Sequence, residues 1–127
     1  MDLNRPDVVA EVQAAFDAYE AALMANDIAG LDAAFWDSPH TIRYGVNEVL
    51  HGIAAIRAFR AGRPTLGLLR SLEHTVITTF GRDLATASTT YRRDSAPGRL
   101  GRQQQTWVRL PEGWRVVAAH VSVMDDE

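Results

Sequence analysis

The sequence predicts an α+β domain in which helices pack on one face of a curved antiparallel sheet. Up to Pro64 the apolar residues recur at helical spacing, beyond Thr65 four long strand-like runs follow one another, and short turn sequences separate those runs. Helices first and a meander afterwards leave the sheet one face for the helices and an open end that forms a pocket. At 127 residues the chain suits one domain, residues 1–127, with one core.

From Pro6 to Asn26, Val8, Val9, Val12, Phe16, Tyr19 and Leu23 mark one face of a first helix, with Asn4 as its expected N-cap and Pro6 in its first turn. Asn26-Asp27 is a second start signal, ahead of Ile28, Leu31, Ala34 and Phe35, and this helix is expected to end near Trp36 before the Ser38-Pro39 breaker. Thr41–Tyr44 and Glu48–Leu50 read as short strands around a Gly45-Val46-Asn47 turn. Ile53, Ile56, Ala58 and Phe59 mark a third helix, closed by Gly62 and Pro64. The long strands are Gly67–Thr79, Leu84–Arg93, Arg99–Leu110 and Trp114–Met124. In the last of these, strict alternation puts Trp114, Val116, Ala118, His120 and Ser122 on one face, and Val117, Ala119, Val121 and Val123 on the other. A second apolar face calls for a second cover, so a homodimer through the sheet is expected.

Composition excludes several chemistries. Thirteen basic against 16 acidic residues, without runs of like charge, lack the footprint of a nucleic-acid binder. No apolar run is long enough to span a bilayer, and the stretch Met1–Pro6 is polar, so a soluble, cytoplasmic protein is expected with no membrane partner. With no cysteine there is no thiolate nucleophile or ligand, and with arginine as the sole basic residue type there is no lysine chemistry. His40, His51 and His74 are scattered without metal-ligand spacing, so neither a metal nor another cofactor is expected. No Gly-x-Ser-x-Gly elbow is present, and the glycines from Ala96 to Gly101 belong to a hairpin connection.

The remaining candidates are few. Tyr19 lies on the apolar stripe of the first helix, as a core aromatic or as a phenol pointing into the cone. Arg43 stands mid-strand, exposed or turned inward; an inward guanidinium needs an anion, such as a substrate carboxylate, because burying it alone costs several kcal/mol. His120 and Ser122 form a polar notch on an apolar face, and Arg102, Gln104 and Thr106 alternate with Gln103, Gln105 and Trp107 on the neighbouring strand. Polar groups of that kind orient small ligands, so Arg102, Gln104, His120 and Ser122 are candidate substrate-binding residues.

Three helices before a long-stranded sheet ending in Gly113-Trp114-Arg115-Val116-Val117-Ala118-Ala119-His120-Val121-Ser122 resemble the NTF2-like (SnoaL-like) cone fold. Ala10-Glu11-Val12 with Tyr19-Glu20-Ala21-Ala22-Leu23, Arg43-Tyr44-Gly45-Val46-Asn47-Glu48, Ile56 to Pro64 and Gly101-Arg102-Gln103-Gln104-Gln105-Thr106-Trp107 are similar to the AtzH-like and HpxZ-like family of cyanuric-acid and oxalurate catabolism. The resemblance implies a small dimeric, metal-independent hydrolase that decarboxylates 1,3-dicarboxyurea to allophanate, with Tyr19 and Arg43 in the active site. Loss of CO₂ from an N-carboxylated urea needs a carboxylate anchor and a proton donor beside nitrogen, roles that suit Arg43 and Tyr19, and a guanidinium within ~4–6 Å makes a phenol a better acid. The alternative is a non-catalytic binding protein or accessory to a pathway amidase, since cone folds host many functions. A proton-shuffling isomerase or dehydratase is disfavoured: only Glu48 and Glu73 lie in the expected strands as carboxylate bases, and the sequence shows no partner for either.

Overall fold

The computed structural model describes residues 1–64 and 67–126. Helices α1 (Pro6–Met24), α2 (Ile28–Ala33) and α3 (Ile53–Gly62) accompany strands β1 (Ile42–Tyr44), β2 (Val49–His51), β3 (Ser71–Phe80), β4 (Leu84–Arg92), β5 (Arg99–Leu110) and β6 (Gly113–Asp125). The strands form one six-stranded sheet in the order β2-β1-β6-β5-β4-β3. The meander β3 to β6 is antiparallel as expected, but β1 pairs with β6 in parallel. The physical reason is the crossover: the chain leaving α2 runs alongside β6, bridging Phe35 to Val116, and continues in the same direction into β1.

The stripe of α1 is buried through Val8, Val12, Phe16, Tyr19 and Leu23, and packs with Leu31, Phe35, Ile53 and Ile56 over Ala85, Ala87, Trp107, Trp114, Val116 and Ala119. Alanines at the centre of β4 and β6 let the helix axis approach the sheet, while the tryptophans fill the flanks and satisfy their N–H groups by donating to Glu11 and Gln105. Asp27 caps α2, accepting from the Gly30 N–H at 3.1 Å. Asn4 does not cap α1, whose N-cap is Arg5. Asn4 instead takes φ 55° and exchanges hydrogen bonds with the backbone of Thr79, tying the N-terminal segment to the edge strand β3. Arg60 is buried, donates to Asp32 at 3.0 Å and lies over the Phe35 ring, so this charge clamps α3 to α2.

One irregularity decides which residues face the helices. The β5–β6 register runs Thr106 opposite Ala118 but Trp107 opposite Val116, which leaves Val117 as an extra residue in a β-bulge. The bulge reverses the alternation: Trp114 and Val116 face the helices before it, and Ala119, Val121 and Val123 face the same side after it. His120 and Ser122 therefore turn to the outer face, and the valine stripe expected outside lines the cone.

Candidate active site in the cone

The site begins with the turn between β1 and β2. Pairing of Arg43 with Ala119 on β6 and with Leu50 on β2 directs its side chain to the inner face. The anion that its burial requires comes first from the chain itself: Arg43 Nη1 donates to Glu48 Oε1 at 2.8 Å, with the side chains 11% and 19% exposed. Glu48 reaches back because Gly45 leaves it room; a Cβ at Gly45 would sit 1.7 Å from Glu48 Oε1. The Asn47 N–H donates to Oε2 and the turn closes through the Gly45 N–H to the Glu48 carbonyl, so the carboxylate is pinned by its own loop. Glu48 thus has a partner that the sequence did not reveal, and so does Glu73, which accepts from Arg92 at 3.2 Å on the exposed side.

Arg43 opens onto a cavity of about 230 Å³ walled by Phe59, Tyr91, Val121 and Val123. The same cavity is lined by Arg63 from the end of α3 and by Arg93 and Arg99 from the two sides of the β4–β5 hairpin, against a single carboxylate among the described residues, that of Glu48. Tyr91 lies flat against β5 where Gly101 supplies no side chain; a Cβ there would sit 2.1 Å from the ring. Arg70 and Arg93 stack on Tyr91 at 4.6 and 5.1 Å from the ring centre. Arg70 is further held by a two-pronged pair with Glu20 at 2.7 and 2.9 Å and donates to Gln103 at 3.1 Å. Burial, the largest influence on Arg70, acts to lower its pKa, yet the Glu20 hydrogen bond and charge outweigh it and hold the pKa above the ordinary value. Arg63 has no such partner: its Nε and Nη2 are buried without a hydrogen bond among the described residues. Its pKa falls below the ordinary value through burial, which outweighs the opposing influence of Tyr19, and repulsion from Arg43, Arg60 and Arg93 adds to the fall.

Tyr19 is 6% exposed, with its ring 6.1 Å from that of Phe35. It lines an alanine-rich groove between α1, α2 and Trp107, not the cavity that Arg43 lines. Arg63 lies near enough to Tyr19 and to Arg43 for the charge of either to act on its pKa, so the two sequence-predicted residues share it as a neighbour. Sequence reasoning missed Glu48, Arg63, Arg93 and Arg99. The available signal was position, since Arg63, Arg93 and Arg99 all sit at element ends, where connecting segments meet the open end of a cone.

The other four candidates do come together, but on the outer side of the sheet. Arg102 donates to Ser122 at 3.1 Å, Gln104 donates to Ser88 at 3.1 Å, and His120 stands edge-on to Tyr44 at 6.0 Å. Together they border a shallow outer depression of about 420 Å³. In β6 the correction follows from the bulge; in β5 plain alternation with the buried Trp107 puts Gln103 and Gln105 inside and Gln104 outside. Among the described residues no group of three or more His, Cys, Asp or Glu side chains is placed to hold a metal ion, and no helix is long and apolar enough to cross a membrane.

Comparison with known proteins places this geometry. Crystal structures of a protein of unknown function from Pectobacterium atrosepticum (56% identity, TM-score 0.95, 98% of this chain and 96% of that one) and of a cystatin-like fold protein from Burkholderia xenovorans (53%, 0.95, 100% and 99%) are similar along nearly their whole length. An NTF2-like protein of unknown function from Pseudomonas putida shares the fold at 18% identity, with a TM-score of 0.76 over 93% and 87% of the two chains. No curated protein matches the sequence. The family model described as AtzH-like matches residues 1–127, and the chain, an α+β cone with the fold of NTF2-like proteins, belongs to the AtzH-like family.

Proposed function

We propose that the protein is a hydrolase of N-carboxyurea and oxalurate-type nitrogen catabolism, decarboxylating small anions such as 1,3-dicarboxyurea. The observation that carries this reading is the crowding of Arg43, Arg63, Arg93 and Arg99 around one small cavity with, among the described residues, a single carboxylate, Glu48. A cavity of about 230 Å³ lies below the ~300–1,000 Å³ of sites for drug-sized ligands and suits a compact anion.

In the proposed reaction Arg43 anchors a carboxylate. The N–CO₂ bond breaks, its electron pair passes to nitrogen, and nitrogen takes up a proton for which Tyr19, outside this cavity in the groove between α1, α2 and Trp107, is the proposed source through a solvent relay. Dicarboxyurea dianion and one proton give allophanate and CO₂, and Tyr19 is reprotonated from solvent. Neither a metal nor a covalent intermediate is required by this scheme. Release of CO₂ from dicarboxyurea, or of CO₂ or ammonia from oxalurate, faster than the blank is the expected result. If both substrates stay at the blank rate while small anions still bind, the reading gives way to a binding protein or amidase accessory.

The proposal of a homodimer through the sheet now rests on the outer face, where Tyr44, Val49, Val76, Leu84 and Met124 leave apolar surface exposed. Ala118→Arg at the centre of that face is expected to halve the mass in light scattering. A wild type that is already monomeric at micromolar concentration removes the dimer.

A further inference from the structure

Most charged side chains around the cone are matched one to one. Arg43 has Glu48, Arg70 has Glu20, Arg60 has Asp32 and Arg99 reaches Asp125 at 3.3 Å. Arg63 and Arg93 depart from this pattern. Both line the cavity, Arg93 donates to the Gly67 carbonyl and no carboxylate, and Arg63 leaves Nε and Nη2 buried and unbonded among the described residues. Gln103, whose Oε1 is taken by Arg70, likewise keeps its Nε2 buried and unbonded. The Arg63 donors, which lie beside the cavity, carry a desolvation cost that an acceptor entering it would remove.

We propose that Arg63, with Arg93, is the clamp for a second carboxylate, so that the cavity selects dianions over monoanions of the same length. Arg43 holds one end of such a ligand and Arg63 with Arg93 the other, and a guanidinium can take each carboxylate by two parallel N–H···O bonds. Crowding of charge is the counterpart: burial first, and then repulsion from Arg43, Arg60 and Arg93, lower the Arg63 pKa, and added negative charge relieves that repulsion, two charges more than one. This inference rests on reading the cavity as the site of an anionic urea, and it assigns the residues that read the second charge.

Glutarate, which spaces two carboxylates as dicarboxyurea does, and glutaramate, its monoamide, are suitable probes in calorimetric titration. Wild type is expected to bind glutarate roughly ten- to hundredfold more tightly than glutaramate, the worth of one charge-assisted contact. Arg63→Gln should bring the two within about twofold of each other, whereas Arg63→Lys should keep only part of the preference. A second readout separates a clamp from a structural residue: without ligand, Arg63→Gln and Arg63→Met should melt at or above the wild-type temperature, because a crowded, unbonded charge has gone. A preference for glutarate unchanged in Arg63→Gln, or a ligand-free Arg63→Met that melts well below wild type, overturns the proposal. Dianion selectivity without CO₂ release leaves the clamp and removes the reaction; CO₂ release without dianion selectivity does the reverse.

Discussion

The two faces of β5 and β6 carry polar residues in similar number and differ in how those residues are satisfied. Outside, Arg102 bonds Ser122, Gln104 bonds Ser88, and His120 leans on Tyr44, which in turn meets the His51 ring. Inside, among the described residues, the Gln103 amide nitrogen is buried and unbonded beside Arg70, and Arg63 leaves Nε and Nη2 buried and unbonded at the arginine-lined cavity. A polar group in water has no need of a protein partner, so pairing on the outer face carries little information. A buried donor without a partner costs stability, and its persistence points to a ligand. The comparison therefore favours the inner face as the place of chemistry, although the outer one holds the histidine that first attracts notice.

The largest effect expected to sharpen this contrast comes from Tyr19→Phe. Loss of one oxygen from a general acid should reduce CO₂ release by roughly 10²–10⁴-fold while the melting temperature stays close to wild type. Full activity would return Tyr19 to the core beside Phe35.

Arg43→Lys tests the anchor. An ammonium cannot hold Glu48 and a substrate carboxylate with one planar fork, so glutarate affinity should fall by roughly ten- to hundredfold. Unaltered affinity and turnover in this variant would make Arg43 a structural partner of Glu48 alone.

Gly101→Val tests how the inner wall is built. Its side chain would displace the Tyr91 ring and disturb the stacked Arg93, at a cost of about 1–3 kcal/mol in denaturant unfolding together with weaker glutarate binding. Gly62→Ala, with nothing within 4 Å of the added Cβ, is the control and should be neutral or slightly stabilising. The smallest effect belongs to His120→Ala, which should change CO₂ release by less than about twofold, since a surface substitution of this kind is close to neutral. A large loss of turnover there would break the division between the faces.

The sequence by itself determined the element order, the meander, the buried stripe of α1 and the cap at Asp27, because these follow from local periodicity and short-range hydrogen bonding. The inward turn of Arg43 was one of two readings open to the sequence, and pairing with β6 selected it. The bulge was half legible: the bulky apolar positions of β6 run Trp114, Val116 and then Val121, Val123, a change from even to odd numbers that marks an inserted residue. It was masked because Val117, Ala118 and Ala119 are small or apolar on either face, so no side chain there objects to the wrong parity. The rest was decided by tertiary structure alone. That Glu48 folds back onto Arg43, that Tyr91 lies on Gly101, and that Arg63 and Arg93 line one cavity are relations between segments whose local patterns say nothing of each other. An arginine at the end of a helix or hairpin looks alike in sequence whether solvent or a shared cavity surrounds it, and only the closing of the sheet around α1 and α3 supplies the difference.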